Sequence, residues 1–267
     1  MDTQSDLGEE GPASPRDVII RDDQSDFSSL LDSAKACRRN RGRLKLIDSG
    51  KYSTFELERL GKAGADLYTS DLARQDLGEF ILMGDAAKKG GAIAAYFHHA
   101  AFELEAKEKS VPFASLQEMG RSGLYLYASN SRFEREFPKL EELAYACAKG
   151  GSLFVYYHHG RLEPALESLC REGVWIHVSG RSLQKEEDAV FLCDCIRVAG
   201  TARANVVLHV ESPINLNWLE DIFRAGAVVM MNLPPSDYRS PQRPFELWAK
   251  RQKLDFRAYY FFSEFMV

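Results

Sequence analysis

All six histidines of this 267-residue chain stand where an apolar run gives way to polar residues. They are the pairs His98-His99 and His158-His159, and the single residues His177 and His209. Imidazole titrates near neutral pH, so such positions suit general acids, general bases or metal ligands. Carboxylates occur at equivalent places, Asp48, Asp71 and Glu211, together with Ser49, Asn130 and Ser179. Lys51 and Arg181 each follow a run and suit an anionic substrate. The chemistry these residue types offer is proton transfer, or catalysis assisted by a divalent metal held between imidazoles and carboxylates.

Counting from the glycine that leads each run narrows the set. His98 and His158 lie seven residues after Gly91 and Gly151, and Asp71, Asn130 and Ser49 lie seven after Gly64, Gly123 and Gly42. Superposed units would bring these five into one ring. Alternation along a strand puts His209 with Glu211, and His177 with Ser179, on shared faces. The expected assignment is His98, His158, His209 and Glu211 as acid–base groups. Asn130, Arg181 and Lys51 are then substrate contacts, and Asp48 and Asp71 are the ligands of a divalent metal. The chain contains no H-E-x-x-H, no C-x-x-C, no G-x-S-x-G and no phosphate-binding G-x-x-x-x-G-K-[ST], which removes the commonest metallohydrolase, nucleophile-elbow and nucleotide-binding signatures. Cys193 and Cys195 are two apart, a spacing that points thiols away from each other on a helix, so they read as core.

The elements that would position these residues recur. A helix-like stretch ends in a basic or small residue, then glycine; an apolar run follows. The leading glycines are Gly42, Gly64, Gly91 and Gly123, then Gly151, Gly173, Gly200 and Gly226. Glycine closing a helix in the left-handed conformation, with Lys or Arg in the last turn, explains the junction. The runs are 44–48, 66–70, 92–98, 124–129, 153–158, 174–179, 205–211 and 227–232, rich in Val, Ile, Tyr and Phe and poorly alternating, as strands covered on both faces are. The segments 55–60 and 140–147 carry apolar residues at helical spacing. Strands alternating with helices of this length predict an α/β fold of parallel βα units, a (β/α)8 TIM-like barrel with extra terminal elements. The extras are a strand at 18–20 before a helix at 27–39, and a strand at 259–262 after a helix at 244–253. Residues 89–99 align with 149–159, an internal repeat across two βα units; a doubly wound open sheet is the alternative, without its G-x-G-x-x-G fingerprint.

Composition sets the partners. Apolar residues are 45%, charged residues 27%, and 34 basic against 39 acidic residues give a net charge of −5. That gives no overall reason to bind nucleic acid or an acidic membrane. The basic run Arg38–Arg43 reads as a helix C-terminus rather than a nucleic-acid site. Residues 1–17 read as a disordered acidic tail ahead of one domain, 18–267, with neither an apolar leader nor a membrane-length run. Five cysteines, an odd count, suit reduced thiols in a cytoplasmic protein. The proline-rich loop 232–241 is expected to cover a site, and the aromatic tail 256–265 to pack under the barrel or bury a homodimer surface. Two functions follow: a hydrolase- or lyase-type enzyme acting on a small polar molecule, or a non-catalytic binding protein whose contact surface is the aromatic tail.

Overall fold

The computed structural model describes residues 18–103, 111–202, 204–211 and 214–231. In chain order the elements are β1 (Val18–Arg21), α1 (Phe27–Arg39), β2 (Leu44–Ile47), α2 (Thr54–Lys62), β3 (Asp66–Ser70), α3 (Leu77–Gly90), β4 (Ala94–His98), α4 (Phe113–Arg121) and β5 (Tyr125–Ser129). They continue with α5 (Phe137–Gly150), β6 (Phe154–His158), α6 (Ala165–Arg171), β7 (Trp175–Ser179), α7 (Glu186–Thr201), β8 (Val206–Val210), α8 (Leu216–Ala225) and β9 (Val228–Met231). The nine strands form one sheet, all parallel, in the order of the sequence. This is an α/β fold of repeated βα units with the strand order of a (β/α) barrel. Eight strands are the glycine-led runs; the ninth is the strand expected near 18–20. Among the described residues no ladder joins β9 to β1, and the expected tail at 1–17, loop at 232–241, helix at 244–253, strand at 259–262 and aromatic segment 256–265 lie outside them.

One face of the sheet is sealed by helices. Leu46, Leu67, Tyr96, Leu126, Tyr156 and Leu208 are buried and share a core with Leu57, Phe80, Leu116, Leu143, Leu192 and Ile222 from the helices. The other face carries a smaller cluster of Phe97, Val155 and Tyr157, with Tyr127 and Trp175 packed on it. Phe97, Tyr127 and Tyr157 sit on three successive strands, and their ring centroids are 6.3, 6.3 and 5.8 Å apart. In a flat sheet the outer two would be about 9–10 Å apart. The near-equilateral triangle therefore requires that the sheet curl with this face inward.

The glycine rule holds at six of the eight leading positions, with φ between +70° and +111° at Gly64, Gly91, Gly123, Gly151, Gly173 and Gly226. It fails at Gly42, where Arg41 takes the left-handed conformation at φ 57° instead, and at Gly200, which lies inside α7.

A second set of glycines does different work. A Cβ on Gly90 would collide with the carbonyl oxygen of Gly61, and one on Gly150 with that of Gly120. Conversely, a Cβ on Gly61 would come within 3.0 Å of the Ala87 amide, and one on Gly120 within 3.1 Å of the Cys147 amide. Helices α2 and α3, and likewise α4 and α5, thus touch backbone to backbone at matching places. The repeating object is consequently a helix–strand–helix–strand unit, α2–β3–α3–β4 followed by α4–β5–α5–β6. Alignment of 89–99 with 149–159 caught half of it; the other half is Gly61–Ser70 against Gly120–Ser129.

This packing separates two kinds of glycine by experiment. Gly90→Ala should lower unfolding free energy by about 2–3 kcal/mol, because backbone must move to admit the methyl group. Gly200→Ala should raise it by about 0.5–1 kcal/mol, since the site is helical with open space around it. Urea denaturation of the two variants distinguishes them; equal effects would contradict the close approach.

Candidate functional site

The carboxyl ends of the strands are tied together in pairs. The residue after each of β1, β3 and β5 reaches across to backbone following the next strand. Asp22 accepts from the Ser49 amide at 3.0 Å and its hydroxyl at 2.5 Å. Asp71 accepts from the amides of His99 and Ala100 at 2.9 and 2.8 Å, and from His99 Nδ1 at 2.8 Å. Asn130 accepts from the His159 amide at 2.7 Å and donates to the His159 carbonyl at 2.9 Å. At the fourth pair Ser179, the last residue of β7, donates to Glu211 at 3.0 Å. Backbone amides emerging from a covered parallel sheet need such partners.

Two buried arginines reinforce the clasps. Arg74 forks onto Asp48, with Nε–Oδ2 at 2.6 Å and a second nitrogen 3.2 Å from Oδ1, and donates to the Tyr52 carbonyl. Arg135, 4% exposed, donates to four carbonyls, those of Ser129, Ala100, His99 and His98, at 2.6 to 3.3 Å. Burial pulls its guanidinium down to about 10. Neither arginine was singled out from sequence. The available signal was position: each lies three to five residues after a clasp residue, Asp71 or Asn130.

The five-residue ring is corrected by the structure. Level is kept only within two pairs: Ser70 pairs with Phe97 and Ser129 with Tyr157, so Asp71 lies level with His98 and Asn130 with His158, but His98 pairs with Ala128 and Ile47 with Tyr68, which leaves Asn130 two residues beyond His98 and Ser49 one short of Asp71. The face of the ring is reversed. His98 and His158 share the helix side of the sheet with Tyr96 and Tyr156. Their Nε2 atoms lie 3.2 and 2.8 Å from the carbonyls of Ala101 and Arg161, three residues on, so each ring closes its own loop. Burial holds both below the usual histidine range. The second histidine of each pair, His99 or His159, belongs to the concave side.

The remaining expected residues divide similarly. Asp48 and Asp71, assigned above to a metal, are committed to Arg74, Thr69 and Gly50 in one case and to His99 and Ala100 in the other. Among the described residues no group of three or more His, Cys, Asp or Glu is placed to share an ion. Lys51 donates to the carbonyls of Ser25 and Asp22 at 2.8 and 3.3 Å and so braces the β1–α1 loop. Asn130 is taken up by the backbone of His159. Arg181 is exposed, 3.7 Å from Glu211.

Two arrangements are left on the concave side. Across β7 and β8, His177 Nδ1 lies 2.8 Å from His209 Nε2, and the Tyr157 ring packs 4.3 Å from His177. Burial disfavours charge on either ring, and between two neutral imidazoles one donates and the other accepts. Burial, then the neighbouring imidazole, pushes His177 well down; burial, then His159, pushes His209 down to about 4. Across β1–β4 a cavity of about 200 Å³ opens at the strand ends, lined by Arg21, Asp48, Ser49, Thr69, Ser70 and His99 among others. His99 bonded to Asp71 forms its wall. Burial alone would raise the Asp71 carboxyl, but hydrogen bonds from His99 and Ala100 and the two nearby imidazoles bring it below its ordinary value. An ionised Asp71 takes the Nδ1 proton of His99 as donor and leaves Nε2 as the basic nitrogen.

No family model matches this chain, and no curated protein matches it. Among solved structures it is similar to the 3-dehydroquinate dehydratase of Aquifex aeolicus VF5, at 16% identity over 89% of this chain and 99% of that one, TM-score 0.41. A putative fructose-1,6-biphosphate aldolase from Coccidioides immitis matches at 14% identity over 83% and 92%, TM-score 0.37. The deoxyribose phosphate aldolase of Aeropyrum pernix matches at 14% over 84% and 94%, TM-score 0.34. Likeness at this level assigns no activity.

The neutral histidine pair makes stability depend on pH with a definite sign. Above about pH 6.5 folded and unfolded chains both hold these rings neutral. Below it the unfolded chain binds protons that the folded chain refuses, and stability falls by about 1.4 kcal/mol per pH unit for each such histidine. For His209 the loss continues until about pH 4, where the folded ring also titrates. His209→Gln should therefore flatten the decline in urea-derived stability between about pH 6.5 and about pH 4.5. An unchanged slope would show that the pair is not held neutral.

Proposed function

We propose that this chain is an enzyme that binds a small polar molecule in the cavity at the ends of β1–β4 and moves a proton through His99. One observation carries the reading: a 2.8 Å bond from His99 Nδ1 to Asp71, in the wall of that cavity. A carboxylate behind an imidazole fixes its tautomer and orientation and stabilises the imidazolium formed when Nε2 takes a proton. The Ser70 hydroxyl and the guanidinium of Arg21, itself paired with Asp23, supply hydrogen bonds and positive charge for an oxygen-rich, anionic substrate, whereas the hydroxyls of Ser49 and Thr69 already donate to Asp22 and Asp48. Abstraction of a proton beside a carbonyl, as in lyase-type chemistry, or activation of water in hydrolysis, is served by this combination. The second reading, a non-catalytic binding protein, draws support from strand-end polar groups already taken up by the protein itself: His98 and His158 by loop carbonyls, Asn130 by the His159 backbone and Asp48 by Arg74.

The test is a panel of small hydroxy acids, keto acids and phosphate esters, scored by thermal shift and then by turnover. Wild type should be stabilised by a subset of the panel. His99→Gln should keep binding and lose about 10²–10⁴-fold in rate. Asp71→Asn should lose most of that rate and move the pH profile. Full turnover in His99→Gln would remove His99 as the acid–base group. Silence across the whole panel, with Tm unchanged, would overturn the cavity as a site and favour the non-catalytic reading.

A further inference from the structure

In a parallel sheet flanked by crossover helices, every helix ends on the side where the strands begin, so the negative ends of their dipoles gather on one face. Cations collect there in this chain, but in excess of what the dipoles need. Five lie between residues 35 and 43: Lys35, Arg38, Arg39, Arg41 and Arg43, all exposed. Lys62 at the end of α2, and Lys88 and Lys89 at the end of α3, are exposed as well. Three carboxylates answer them: Asp32 beside Lys35, Asp66 beside Arg43 and Glu58 beside Lys62. Among the described residues no carboxylate lies within ion-pairing distance of Arg38, Arg39, Arg41, Lys88 or Lys89. At roughly half a negative charge per helix end, α1, α2 and α3 offset only about one or two of those five.

These side chains belong to one surface. The Arg38 Cδ lies 3.2 Å from where a Cβ on Gly64 would stand, which puts its stem over the end of α2. Arg43 donates to the Gly91 carbonyl at 3.0 Å, which ties the loop before β2 to the end of α3. Lys35, Arg38 and Arg39 also line a concavity of about 600 Å³ together with Ala63. Read one segment at a time, each cation is an ordinary helix cap. Folded, three caps merge, and the chain's net charge of −5 hides the local excess.

We infer that this face, where α1, α2 and α3 end, docks the phosphodiester backbone of a nucleic acid. Four of the eight cations are arginines, whose planar forks match phosphate oxygens two at a time. A repeating polyanion matches charge spread over three helix ends and several residues of loop. An anionic membrane is the weaker fit, because among the described residues the exposed large apolar side chains beside this face are Val18 and Ile19 alone, at the start of β1 next to Arg43, too few to anchor it in lipid. The face is opposite to the cavity at the strand ends, so docking and the proposed chemistry are separable.

The experiment is fluorescence anisotropy of the full chain with a short labelled RNA duplex, the matching single strand and the DNA duplex, over a series of salt concentrations. Engagement of about four phosphates predicts that log K falls with log salt at a slope of about −3 to −4. Arg38→Ala/Arg39→Ala/Arg41→Ala should weaken binding at least about tenfold at low salt and reduce the slope by about 2 to 3. Lys88→Ala/Lys89→Ala, on another helix, should weaken it in the same direction. Arg132→Ala/Lys185→Ala/Arg197→Ala, which removes as much charge elsewhere, should bind as wild type does, and circular dichroism should show every variant folded. An equal loss in that control, absence of binding by wild type at low salt, or capture by phosphatidylserine vesicles without capture by any oligonucleotide would overturn the inference.

Discussion

The strand-end clasp is the interaction on which the rest depends. Parallel strands covered on both faces leave amides at their carboxyl ends that neither the ladder nor water satisfies. Here a polar side chain just beyond β1, β3 and β5 supplies the acceptor, and the partner is always the backbone following the next strand. The strands are thereby coupled two by two, and each loop leaves at a fixed angle. His99 owes its place to this. The Asp71 that accepts its amide also orients its ring, so a structural bond and a candidate catalytic contact come from one carboxylate.

The doubled unit presents the same clasp twice with different side chains. Asp71 and Asn130 occupy matching positions, and both hold the backbone of the following histidine. Only the carboxylate also bonds the imidazole Nδ1. The amide satisfies the backbone on both its oxygen and its nitrogen and has no charge to offer His159. A single difference between acid and amide thus separates the proposed His99–Asp71 dyad from a loop clasp, on scaffolds otherwise packed alike through Gly61/Gly90 and Gly120/Gly150.

Much of the fold was legible because its signals are local. Leading glycines and apolar runs located eight strands to within two residues at either end, and the repeat between 89–99 and 149–159 was visible. The facing of side chains was not. Tyr96-Phe97-His98 and Tyr156-Tyr157-His158 are apolar or aromatic on both faces, so alternation does not reveal which face meets the helices. Counting from glycine gives the level only within β3/β4 and β5/β6 and does not give the side, so the spacing alone places His98 and His158 inward where the structure turns them to the helices. Arg74 and Arg135 escaped notice for another reason: an arginine in a loop looks solvated until the carbonyls that surround it are known. The merged basic face escaped because its parts lie up to about fifty residues apart in sequence, between Arg38 and Lys89.

Sequential strand order has a consequence for how the molecule is made. Every ladder in the sheet joins a strand to the one immediately before or after it, and the tightest helix contacts, α2 with α3 and α4 with α5, are also between neighbours. Among the described strands loop closure never has to span more than one crossover. A unit leaving the ribosome finds its docking partner already present, and the growing edge of the sheet is always the one next to be covered. Vectorial synthesis and the order of the described strands run in the same direction, so each ladder from β1 to β9 can form as soon as its second strand emerges.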